Sequence, residues 1–142
     1  MIRAKGRNAR IVLVTCPSLV LARKIARAVV EQRLAACVNV VRSPVESLYT
    51  WKGKLESARE HLLLIKTTAQ RLSPLEREVK RLHTYAVPEF IALPVTDGSQ
   101  AYLAWLREAT ATHSGESSSG QPQNATANRR ERVEQAASDK LA

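Results

Sequence analysis

Four side chains in this 142-residue sequence carry groups that a metal ion would use: the imidazole of His83, the thiols of Cys16 and Cys37 and the carboxylate of Glu89. Imidazole and carboxylate suit Cu(II) or Zn(II), and thiolates suit Zn(II) or Cu(I). They are scattered, with no CxxC or HxxxH pairing, so a site made from them must be assembled by the fold or between subunits. His83 and Cys16 are the candidate metal ligands. Cys37 sits in an apolar run and reads better as a packed thiol. His83, at the expected end of a helix, serves equally as a cation facing the helix dipole. His61 falls in an extended arm as a surface or interfacial residue, and His113 lies in a polar tail.

A second constellation, Tyr49, Trp51, Lys66, Tyr85 and Glu89, mixes aromatic rings with one base and one acid. Brought together between subunits, these residues would line a cleft for a small anionic or amphipathic ligand. Packing at an oligomer interface explains the same Tyr and Trp equally well, and Lys66 with Glu89 would then be an ion pair. Catalysis has no comparable support. The chain has no nucleophile turn with Ser, His and Asp, and with only five glycines it has no phosphate-cradling loop. The expectation is a protein that is not an enzyme.

The elements that must position these residues are legible. Ile11 to Val14 is a continuous apolar, β-branched run of strand length, ended by Pro17. Ser18 can cap a helix to about Arg33, with Ala22, Ile25, Ala26, Val29 and Val30 on one stripe. Val38–Trp51 and Lys54–Thr67 read as the arms of a long hairpin turning at Lys52-Gly53, bent near Ser43-Pro44. An unbroken register from the turn sets Glu46 opposite Arg59 and Tyr49 opposite Glu56. Leu62 to Ile65 is apolar on both faces, so helices must cover one face and a partner subunit the other. Ser73-Pro74-Leu75-Glu76 predicts a capping box opening a second helix with Leu75, Val79 and Leu82 inward, ending near His83 or Thr84. Phe90 to Val95 predicts a last strand. Asp97-Gly98-Ser99 then opens a short helix carrying Tyr102, Leu103, Trp105 and Leu106. The fold class is α+β, a ferredoxin-like βαββαβ sandwich with an extended hairpin and a carboxyl-terminal helix.

Composition bounds the rest. Hydrophobic residues at 44% supply one core, and six aromatic residues are too few for a base-stacking surface. The net charge of +9 combines +3 in residues 1–8, +7 in residues 9–107, where fifteen basic residues face eight acidic ones, and −1 in residues 108–142. Nucleic acid is therefore expected to bind only without specificity. Residues 1–9 read as a flexible basic terminus, 10–107 as the domain, and 108–142 as a disordered or weakly helical tail in which the glycosylation match at Asn124 is chance. With no leader, no membrane-length apolar run and two cysteines, a cytoplasmic setting is expected.

Six segments, in order and with their spacing, resemble the CutA divalent-cation tolerance family: Val14 to Pro17, Leu34 to Asn39, Ser47 to Lys54, Leu64 to Thr67, His83 to Glu89 and Ala101 to Leu106. The resemblance covers about Ile11 to Leu106. It implies a ferredoxin-like subunit, a tight homotrimer built through the long hairpins, and a part in tolerance of copper and other divalent cations. No obligatory cofactor is implied, and copper or another divalent metal is the expected ligand. The sequence departs from the family's H-P-Y-[DE]-x-P-E segment at Thr84 and Ala86, which removes a rigid proline and a carboxylate. The basic amino terminus and the tail lie outside the resemblance.

Overall fold

The computed structural model describes residues 3–112, with side chains from Gly6 onward; the expectations for the tail and for His113 fall outside the described residues. Among the described residues seven strands and three α-helices follow one another as β1 (Arg3–Lys5), β2 (Ala9–Cys16), α1 (Leu19–Glu31), β3 (Cys37–Val40), β4 (Val45–Trp51), β5 (Lys54–Thr68), α2 (Leu72–Leu82), β6 (Ile91–Pro94), β7 (Asp97–Ser99) and α3 (Gln100–Ala109). The main sheet runs β3-β5-β2-β6, with β4 continuing along β5, and all of its pairings are antiparallel. This is the ferredoxin-like α+β arrangement. Among the described residues no helix is long and apolar enough to cross a membrane.

Strand alternation divides the sheet into two unlike faces. Val12 opposite Ile65 and Val14 opposite Leu63 are fully buried, and they form the main core with Ile25 and Val29 of α1 and Leu75 and Val79 of α2. The other face carries Ile11, Leu13, Leu62 and Leu64, half-buried, and Ile91 and Leu93 of the edge strand, 48% and 42% exposed. Leu103 and Leu106 of α3 make a second, smaller core with Ala9 and Ala36.

The hairpin keeps the expected register, with Glu46 opposite Arg59 and Tyr49 opposite Glu56. Lys52 and Gly53 have φ of 51° and 78°, the signs of the two-residue turn whose twist matches that of the strands. The bend also falls where Pro44 was expected to put it. Val40 pairs with Leu63 but Val45 with Glu60, so five steps along one arm match three along the other. The excess residues bulge, and His61 accepts part of the distortion by directing Nδ1 at the carbonyl of Val41, 3.1 Å away.

Three expectations need correction. Ser73 is not an N-cap. A 3-10 turn, Ala69–Arg71, leads straight into α2; the amide of Leu72 already donates to the Ala69 carbonyl, so the chain is helical before Ser73. Glu76, freed from a capping box, pairs with Lys80 at 2.9 Å. The amino terminus is not loose throughout, because β1 pairs with β7 from Arg3 opposite Ser99 to Lys5 opposite Asp97. Finally, α3 passes Arg107 to Ala109, and Thr110 is 3% exposed with its hydroxyl donating to the Leu106 carbonyl.

α1 stops before Arg33 in a left-handed cap. The amide of Arg33 donates to the Val30 carbonyl and that of Leu34 to the Val29 carbonyl, with Arg33 at φ 58°. Glycine is the residue this position favours. Arg33→Gly is expected to raise the unfolding free energy by about 0.5–1 kcal/mol, the strain relieved less the entropy glycine loses on folding. Gly53→Ala is expected to lower it by about 1–2 kcal/mol. Denaturant midpoints at fixed protein concentration measure both, and a fall with Arg33→Gly would contradict the cap assignment.

Candidate functional site

His83 sits at the carboxyl end of α2, where its amide donates to the Val79 carbonyl at 2.9 Å. Its ring is 8% exposed and engaged at both nitrogens. A carbonyl can only accept, so Nε2 carries the proton and donates to the Thr15 carbonyl at 2.8 Å. Nδ1 accepts from the Tyr85 amide at 3.1 Å. The ring thereby ties the end of α2 to the end of β2 and starts the loop that follows. It keeps no lone pair for a metal.

Tyr85 stacks obliquely on that ring, centroids 4.7 Å apart, and its hydroxyl donates to Oε2 of Glu60 at 3.1 Å. Glu60, 6% exposed at the root of the hairpin, was not singled out by sequence reasoning. Its only signal is position, as a charge directly ahead of the His61-Leu62-Leu63 entry into the sheet. Its charge adds to burial in shifting three neighbours. Burial, and then Glu60, pushes the Cys16 thiol from 9.0 up to about 11. Burial raises the Tyr85 phenol to about 12, with the hydrogen bond and charge of Glu60 adding to it. Burial and the same charge move Glu89 above the ordinary carboxylate range.

The structure brings some of the expected site residues together and separates others. Cys16 follows Thr15, whose carbonyl His83 holds, but its thiol is fully buried and protonated well past neutral pH, whereas a metal needs the thiolate. Among the described residues no three His, Cys, Asp or Glu side chains could hold a metal ion together. His83 and Cys16 as placed within one subunit therefore do not fit a metal. Tyr49 shares the hairpin face of Glu60, since Val45 is the cross-strand partner of Glu60, and it adds a minor electrostatic contribution to the raised Tyr85 phenol. Trp51, 51% exposed, stands six residues beyond Val45, roughly 20 Å along the strand. Lys66 lies about as far from Glu60 in the other direction, beside Ile11 and Cys37. Tyr85 and Glu89 thus lie near Glu60, Tyr49 stands four residues further out on the same hairpin face, and Lys66 stands apart. Cys37, half-buried on an edge strand, is a free thiol near Tyr102, whose phenol is raised by burial and by Cys37.

Because Cys16 and Tyr85 have raised values in the folded state, both favour folding while protonated. That contribution is complete below the unfolded thiol value of 9.0 and is lost as pH rises through about 11 for Cys16 and about 12 for Tyr85. Stability is expected to fall from pH 9 upward, less steeply in Cys16→Ser, as read by denaturant unfolding across that range. Glu60→Gln removes the lesser of the two causes of the Cys16 shift and is expected to make that fall shallower. An unchanged alkaline profile would show that the Glu60 charge does not act on the thiol.

Comparison with known proteins places this geometry in context. Residues 10–109 match the family described as CutA1 divalent ion tolerance protein. The divalent-cation tolerance protein CutA of Thermus thermophilus is 51% identical over 100 residues, covering 70% of this chain and 96% of that protein. Human protein CutA is 50% identical over 97 residues, covering 68% of this chain, which spans about half (54%) of the human protein's length. The solved structure of the divalent cation tolerance protein Cut A1 from Thermus thermophilus superposes with a TM-score of 0.71 at 50% identity, covering 72% of this chain and 99% of that one. The chain belongs to the CutA1 divalent ion tolerance family.

Proposed function

We propose that this protein is a non-enzymatic homotrimer that serves divalent-cation tolerance as an assembled scaffold, with copper or another divalent ion bound only weakly. The observation that carries the reading is the uncovered apolar surface. One sheet face holds Ile91 and Leu93 open beside Ile11, Leu13, Leu62 and Leu64, and the projecting hairpin exposes Leu48 at 65%, Leu55 at 74% and Trp51 at 51%. Leu48 and Leu55 belong to one face of the hairpin and Tyr49 and Trp51 to the other, so a lone subunit cannot fold the arm back to hide both. Each such side chain buried by a neighbour contributes up to about 1.5–3 kcal/mol, and a patch this large marks an interaction surface. The cytoplasm is the compartment this reading assigns, in keeping with two unpaired thiols.

A second reading makes Tyr85 and Glu89 near Glu60, with Tyr49 and Trp51 further out on the hairpin, one wall of a cleft between subunits, closed by Lys66 of a neighbour. The exposed rings beside a buried carboxylate favour it. A thermal-shift screen of nucleotides and metabolites supports it only where the shift is lost in Trp51→Ala or Lys66→Ala.

Leu93→Asp and Leu48→Asp are expected to lower the mass measured by light scattering toward that of one 15.7 kDa chain, while Arg23→Asp on the exposed face of α1 leaves it unchanged. Unchanged mass in both apolar variants would contradict the assembly surface. Cu(II) titrated into chelator-treated protein is expected to bind weakly, with the same affinity after His83→Ala or Cys16→Ser. A stoichiometric site lost in either variant would replace the scaffold reading with a direct metal centre.

A further inference from the structure

The corner where the amino-terminal turn meets α3 gathers arginines around a cavity. The turn closes when the Ala9 amide donates to the Gly6 carbonyl at 2.9 Å. It is anchored on one side by the Gly6 amide on the Thr96 carbonyl at 3.0 Å, and on the other by the Ala69 amide on the Asn8 carbonyl at 2.7 Å. Glycine is needed at position 6, because a Cβ there would lie 2.5 Å from the Val95 carbonyl oxygen. Between this turn and α3 opens a cavity of about 260 Å³ lined by Gly6, Arg7, Asn8, Ala9, Leu103 and Arg107.

Four arginines surround the corner, and two of them already have partners. Arg10 donates from Nη1 to the carbonyls of Arg7 and Ala9, both at 2.9 Å. Arg71 donates from Nε to the Thr110 carbonyl past the end of α3 at 2.8 Å, answering the partial negative charge there. Arg7 and Arg107 are exposed and line the cavity; the ion pairs among the described residues lie elsewhere, on α2. No acidic side chain lines the cavity, Asn8 adds an amide, and Leu103 and Ala9 form an apolar wall.

We propose that this cavity binds a small phosphate monoester, its phosphoryl group held between Arg7 and Arg107 and its carbon portion against Leu103 and Ala9. Two guanidinium forks neutralise a group of charge about −1.5 to −2, which a single carboxylate does not supply. The volume falls below the roughly 300–1,000 Å³ of sites for drug-sized ligands, so the organic portion is short. The site lies outside the cluster around Glu60 and is independent of the scaffold reading. Arg7 also precedes the matched family residues 10–109, so half of the site belongs to this chain's own amino terminus.

Calorimetric titration of the full chain in about 0.15 M NaCl tests it with inorganic phosphate, glycerol 3-phosphate, glycerol and a short DNA duplex. The expected result is saturable binding of phosphate and tighter binding of glycerol 3-phosphate at one site per chain, none of glycerol, and about tenfold or greater weakening in Arg7→Gln and in Arg107→Gln. Arg23→Gln is expected to change nothing, and circular dichroism checks that each variant is folded. Absence of saturable binding, or equal weakening in Arg23→Gln, would overturn the site. Duplex binding that displaces phosphate and depends on Arg7 and Arg107 would assign the corner to a polyanion and overturn the monoester.

Discussion

Everything in this subunit depends on the pairing of β5. Fifteen residues long, it carries β2 along one edge and β3, then β4, along the other, so one continuous ladder joins the packed sheet to the projecting hairpin. Its inner half must be apolar on both faces because α1 and α2 bury one face and leave the other open. Its outer half has nothing of its own subunit to pack against. A two-stranded ribbon is marginal in water by itself, and exposed leucines and a tryptophan on both of its faces make isolation costlier still. The proposed self-association would reconcile the length of β5 with its composition.

The junction between the two halves is where the chemistry collects, and the structure gives it a different sense from the one residue types suggest. A histidine and a cysteine near a glutamate invite a metal. Here the histidine is a fastener, donating through Nε2 to one strand end and accepting through Nδ1 from the next loop. The cysteine is a core residue whose burial keeps it a thiol. The group with the widest influence is Glu60, held by the Tyr85 hydroxyl and felt by Cys16, Tyr85 and Glu89 alike. A buried charge with so few partners ties the hairpin root to the loop after α2, since removing either partner would strand the other.

How much of this could be read from the chain depended on whether the signal was local. The hairpin turn, its register and the break at Pro44 were legible because glycine, proline and alternation act over a few residues. The order of strands followed from short, right-handed connections. The capping box at Ser73 misled because β5 and the 3-10 turn deliver the chain already helical, a tertiary effect that overrides local propensity. The β1 strand at the amino terminus escaped because its partner β7 lies at the far end of the domain and its own composition is polar. In the site, Tyr49, Trp51, Lys66, Tyr85 and Glu89 were expected to meet between subunits; within one subunit Tyr85 and Glu89 lie near Glu60 and Lys66 is remote, and Glu60 was missed because burial of a glutamate leaves no mark on composition.

The central claim is that the open face of the sheet and the bare hairpin are covered by copies of the same chain. Sedimentation equilibrium of the full-length protein over a wide concentration range tests it most directly. The account predicts a single species of three times the 15.7 kDa chain mass, persisting at the lowest concentrations measured. A monomer whose mass does not change with concentration would contradict it.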